Sequence, residues 1–162
     1  MSNDSGSDPA TPPVARRIEA PPGAVWAVLA DGWLYATWVV GASRVRDVDL
    51  DWPTEGSRIH HSVGSWPALL SDETVVLDAQ PGRRLRLTAR GWPVGEAHVD
   101  LEIVPVGTTA SEVRLAEDAV SGPALLVPQA VRQPLLQLRN RETLRRLAFL
   151  AEGRHREAVS GR

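Results

Sequence analysis

Cysteine is absent from this chain of 162 residues, and so is lysine. The first absence excludes disulfides, thiolate nucleophiles and cysteine-based zinc sites together. The second leaves arginine to supply all 18 cations against 20 carboxylates, for a formal net charge of −2. We read the lack of lysine as codon bias. The arginines are interleaved with Asp and Glu rather than gathered into one run, so the electrostatic footprint of a nucleic-acid partner is missing. No apolar run is long enough to cross a bilayer, and Met1 to Pro13 lacks the apolar core of a signal peptide, which sets the expectation of a soluble, cytoplasmic protein without stable membrane insertion. A Walker loop, a glycine-rich dinucleotide turn, a nucleophile elbow and clustered metal ligands are all missing as well. NAD, ATP and zinc chemistry are therefore not expected, and no cofactor or metal is called for.

The composition that remains, 43% hydrophobic and 23% charged, is that of an ordinary globular protein. The length suits one domain with its own core. Residues 1–13 carry small, acidic and Pro side chains and are expected to form a disordered tail. The domain is expected over residues 14–152.

Val14 to Glu19 reads as a first strand, stopped by Pro21-Pro22, and Pro22 to Ala30 as a helix with Val25, Val28 and Leu29 on one face. A second short helical stretch, Trp33 to Val39, follows. From Ser43 to Val120 the apolar period switches to two, with turn signals at Trp52-Pro53, Trp66-Pro67, Gln80-Pro81-Gly82, Trp92-Pro93 and Val106-Gly107. In one strand Leu85, Leu87 and Ala89 alternate with Arg84, Arg86 and Arg90; in the next, Ala97, Val99, Leu101 and Ile103 alternate with Glu96, His98, Asp100 and Glu102. Such alternation means one buried and one wet face.

After Gly122-Pro123 a helical period returns, with an apolar stripe of Val131, Leu135, Leu138, Leu144, Leu147, Phe149 and Leu150. Pro134 predicts a kink or a separate first segment. Gly153 is expected to close the helix, leaving 153–162 to fray. An amphipathic helix of that length needs a cover, and the inner face of the sheet is the only apolar surface large enough. The predicted fold is α+β: a curved antiparallel sheet wrapped around a long C-terminal helix, with two short helices after the first strand.

Several stretches together resemble the START-like (SRPBCC) superfamily, in its polyketide cyclase/dehydrase and lipid-transport-like branch. They are Ala20-Pro21 through Val25-Trp26 with Leu29-Ala30-Asp31, Trp38-Val39-Val40-Gly41-Ala42, Gly56-Ser57-Arg58-Ile59-His60-His61, Glu117 with Gly122-Pro123, and Arg139-Asn140 with Glu142-Thr143-Leu144. The resemblance covers roughly residues 14–152. It implies a helix-grip fold with a deep cavity between sheet and helix, commonly holding a hydrophobic or aromatic small molecule. It supplies no catalytic triad, because members include cyclases, hydrolases, carriers and receptors.

Function is then sought in the residues that should line the cavity. His60 and His61 are adjacent on a strand and point to opposite faces, so they cannot share a metal ion. His61, in phase with Ile59 and Val63, is either a general base or a histidine bonded to a carbonyl. Glu117, in phase with Val113 and Leu115, faces inward as a ligand anchor, a proton donor or a structural carboxylate pairing with an arginine. Asn140, in phase with Leu136, Leu144 and Leu147, can orient a ligand carbonyl or satisfy strand-end backbone. Tyr35, Trp38 and Trp66 are expected at the pocket mouth, since the resemblance places it there, and flat aromatic walls favour flat apolar ligands. Trp26, Trp52 and Trp92 read as packing residues. Three functions follow: a carrier or sensor for a hydrophobic small molecule, a cofactor-independent cyclase or dehydratase with His61 and Glu117 as its acid/base pair, or a non-catalytic interaction module. The expected state is a monomer or homodimer.

Overall fold

The computed structural model describes residues 12–64, 67, 70–91 and 95–161. Strand β1 (Val14–Ile18) is followed by helix α1 (Pro22–Leu29), a 3-10 turn (Gly32–Leu34) and the short helix α2 (Tyr35–Trp38). Then come β2 (Ala42–Val48), β3 (Arg58–Val63), β4 (Leu70–Gln80), β5 (Arg84–Gly91), β6 (Gly95–Val106) and β7 (Ala110–Ser121), a 3-10 turn (Pro123–Leu126) and the long helix α3 (Gln129–Ser160). The strands form one antiparallel sheet in the order β1-β7-β6-β5-β4-β3-β2. Register shifts interrupt the β2–β3, β4–β5 and β6–β7 ladders, and such bulges bend a sheet so that it curves around a helix. The predicted helix-grip architecture is the one observed. Trp66 of the Trp66-Pro67 turn signal, the Trp92-Pro93 signal, and all but the end of the N-terminal tail lie outside the described residues.

Proline sets the start of α1. Pro22 occupies its first turn, where a missing N–H costs nothing, and Val25, Val28 and Leu29 are buried as their spacing predicted. Gly95 has φ +116, and a Cβ there would fall 1.9 Å from the Ser121 carbonyl oxygen. Only glycine allows β6 to begin so close to the end of β7.

Helix α3 departs from the sequence reading in three ways. Pro134 does not divide it: the helix is continuous from Gln129, and the proline lies in its second turn, where one lost hydrogen bond is tolerated. Gly153 does not close it either. Helix continues to Ser160, because Gly153 costs only about 1 kcal/mol relative to alanine while flanking contacts hold the segment: Arg154 Nη2 reaches Asp31 Oδ2 at 3.1 Å and Glu152 Oε1 accepts from the Glu19 N–H at 3.0 Å. Finally, the apolar stripe mixed two faces. At about 100° per residue, Asn140, Leu144, Leu147 and Ala151 stack on one side and are buried, whereas Val131, Leu135, Leu138 and Phe149 fall on the opposite side and are exposed, Leu138 by 66% and Phe149 by 74%.

The two halves of α3 do different work. The C-terminal half presses Leu144, Leu147, Ala148 and Ala151 into the core with Ile18, Val25, Leu29, Leu101 and Val113. The N-terminal half spans the sheet where the inner face is small. Ladder partners Ala89, Ala97 and Ala119 put three alanines side by side across β5, β6 and β7, next to the Leu87, Val99 and Glu117 row. Where leucines would have filled the space between layers, alanines leave it open.

Candidate functional site

That open space is a cavity of about 480 Å³. Its walls come from α2 and the following turn (Tyr35 to Ala42), β3 (His61, Val63), β5 to β7, and α3 from Leu135 to Thr143. Thr143 also fixes the lid to the wall, since its Oγ1 accepts from the Val40 N–H at 3.2 Å. The lining is chiefly aliphatic and aromatic, in the size range that encloses a small organic molecule.

Five of the six residues singled out from the sequence meet on this cavity: Tyr35, Trp38, His61, Glu117 and Asn140 all line it. Trp66 lies outside the described residues. Trp52 is buried turn packing, its indole N–H donating to the Leu29 carbonyl at 3.1 Å.

Aromatic rings form one end. Tyr35 meets Trp38 edge-on, with centroids 5.5 Å apart at 70°, and lies 5.2 Å from the His61 ring. Behind them Thr74, fully buried on β4, bonds to both polar ends: its Oγ1 is 2.9 Å from the Tyr35 hydroxyl and 3.0 Å from His61 Nε2. A threonine hydroxyl donates once and accepts from the other side, so the three groups form one chain whose direction follows the His61 tautomer. Thr74 escaped the sequence reading because an inward hydroxyl in a period-two strand carries no local mark of its partners. Its register opposite Ile59 and Ala89 is what places it inside.

Burial pushes the Tyr35 phenol up to about 12, so it stays protonated at any physiological pH. His61 is only 3% exposed, and burial, reinforced by the charges of Arg46 and His60, pulls its imidazole down to about 4. The Ser62 backbone opposes that shift in part, yet His61 Nδ1 has no hydrogen-bond partner, as does the buried Trp38 Nε1. At neutral pH His61 is therefore a neutral imidazole. Glu117 is engaged from across the cavity by the Arg139 guanidinium of α3, a charge-assisted bond between sheet and helix. Asn140 is 5% exposed and its amide makes no side-chain hydrogen bond to another described residue.

Replacing Thr74 by valine is expected to cost about 1–3 kcal/mol, because Tyr35 and His61 lose their shared partner while the volume is kept. Urea unfolding of Thr74→Val measures it. A midpoint equal to that of the parent chain would show that the chain of three contributes nothing.

The arrangement offers a mostly apolar enclosure with a neutral polar end, an internally paired acid and base, and one uncommitted amide. Among the described residues no group of three or more His, Asp or Glu side chains is placed to hold a metal ion, and no helix is long and apolar enough to cross a membrane.

Solved structures share this architecture at low identity, which speaks for the fold alone. A conserved protein from Geobacillus kaustophilus superposes with a TM-score of 0.68 at 13% identity, covering 87% of this chain and 94% of the other. A START superfamily protein from Mycobacterium smegmatis gives 0.62 at 16%, covering 90% and 97%. An aromatase/cyclase from a Streptomyces species gives 0.62 at 16%, covering 91% and 93%. A comparison with curated proteins finds no match. The family model for polyketide cyclase/dehydrase and lipid transport matches residues 13–152, nearly the whole described chain. With that match and a helix-grip fold built around a cavity, the chain belongs to the polyketide cyclase/dehydrase and lipid transport family.

Proposed function

We propose that this protein binds a hydrophobic or aromatic small molecule between the sheet and α3, as a carrier or sensor. The observation that carries the reading is the half-open, largely apolar cavity of about 480 Å³, opened by the alanine row Ala89, Ala97 and Ala119. An apolar molecule entering it gains about 25 cal/mol for each Å² of surface removed from water. Tyr35 and Trp38 supply flat walls, and the Glu117–Arg139 bond ties the lid to the sheet without offering free charge.

Native mass spectrometry of the pure protein after incubation with a lipid and small-molecule extract is expected to show a bound species. Ala97→Leu, which fills the space with a branched side chain, is expected to reduce occupancy at least about tenfold while the fold persists. Equal occupancy in the two proteins would sink the proposal.

A second reading, a cofactor-independent cyclase or dehydratase, is favoured by one observation: His61 and Glu117 line the same cavity in a fold shared with an aromatase/cyclase. It ranks behind binding for chemical reasons. A base drawn down to about 4 is weak at neutral pH, and the Glu117 carboxylate is already committed to Arg139. Dehydration of a bound polyketide that His61→Gln abolishes without weakening binding would reverse the ranking.

A further inference from the structure

We propose that the cavity selects an uncharged ligand, a mostly apolar molecule whose carbonyl or hydroxyl hydrogen-bonds to the Asn140 amide, and rejects a carboxylate of the same shape. This rests on the ligand-binding reading above and narrows it to a chemical class.

Two of the arginines on the wall are already paired with carboxylates: Arg90 holds Glu96 at 3.3 Å and Glu73 at 2.5 Å, and Arg139 is bonded to Glu117. A carboxylate entering this space would lose its hydration and meet Arg90 and Arg139 guanidiniums whose charge Glu73, Glu96 and Glu117 already offset. The cost falls on the charged ligand only.

Asn140 is the exception among the polar groups. It is 95% buried, lines the cavity, and makes no side-chain hydrogen bond to another described residue. Trp38 Nε1 and His61 Nδ1 are also unpaired, but both are sealed from the cavity space, whereas the Asn140 amide is not. An amide carries donors and an acceptor without net charge, so it matches a ketone, an ester or a hydroxyl equally well. The side chain sits on α3 between Arg139 and the core residue Leu144, on the rigid, buried face of the helix, which fixes where the ligand's polar atom must lie.

Three naphthalenes of one shape separate the possibilities by equilibrium dialysis: methyl naphthyl ketone, naphthoate and ethylnaphthalene. The ketone is expected to bind about tenfold more tightly than either of the others, the effect of one hydrogen bond to a buried group. Asn140→Leu is expected to erase the preference for ketone over ethylnaphthalene while ethylnaphthalene itself binds at least as well. Glu117→Gln frees the Arg139 guanidinium and is expected to raise naphthoate affinity about tenfold, a gain that misfolding cannot produce. Naphthoate binding the parent protein as tightly as the ketone, a ketone preference that survives Asn140→Leu, or no gain for naphthoate in Glu117→Gln each overturns the proposal. Failure of all three probes to bind the parent protein overturns the ligand-binding reading along with it.

Discussion

Lowering the pH from 7 to 4 is expected to remove on the order of 2–4 kcal/mol of folding stability through His61 alone. In the unfolded chain this imidazole titrates near its ordinary value of 6.5, and in the folded protein burial holds it at about 4. As pH falls below 6.5 the unfolded state takes up the proton first, so the equilibrium shifts toward unfolding until the folded state protonates too, near 4. The contribution is complete above 6.5, declines through the window between, and is gone below 4. Strand β3 places Val45 and Asp72 opposite His61, and Tyr35 and Thr74 pack on its ring, while Arg46 and His60 add charges of the sign that resists protonation. Urea midpoints of the parent chain and of His61→Gln, taken at intervals from pH 7 to 4, give the test. The glutamine keeps an amide for Thr74 and cannot titrate in this range, so its curve should be flatter. Parallel curves would mean that another group controls acid stability. Glu142, drawn down to about 2 chiefly by its hydrogen bonds from Arg145 and Arg146, acts below its ordinary 4.5 and so falls largely outside this window.

Leu144→Ala is expected to cost about 2–5 kcal/mol, against less than about 0.5 kcal/mol for Leu138→Ala. Both leucines belong to α3 and both had been placed on one stripe. Leu144 is fully buried where the helix meets the core, whereas Leu138 lies about a third of a turn around the axis and is exposed. Denaturant titration of the two variants at constant m-value separates them. A loss below about 1 kcal/mol for Leu144→Ala would show that the helix closes over the gap or is not held by this face.

The sheet was legible because strand periodicity is local. Leu85, Leu87 and Ala89 alternate with arginines, and a one-residue slip would expose the entire apolar set, so face and register follow from pattern alone. His61, Glu117 and Asn140 were legible for the same reason: each shares phase with apolar neighbours, and each is buried on the cavity. The stripe on α3 was misread because helical phase drifts, and leucines about 180° apart look alike when only their density is counted. Gly153 looked like a stop because a helix end is a balance of small terms, here reversed by contacts from Asp31 and Glu19, far away in sequence.

By itself the sequence determined the class of fold, the order of its elements, the exclusion of cysteine chemistry, and which polar side chains share a face with the core. These depend on composition and on periods of two and 3.6 residues, properties of neighbours along the chain. Tertiary structure alone decided that three alanines from separate strands align to leave a cavity, that Thr74 joins Tyr35 to His61, and that Arg139 takes up the charge of Glu117. Each of those depends on groups brought together by strand register and helix docking. Docking also pairs Glu117 with Arg139 and sets Asn140, buried, on the cavity wall.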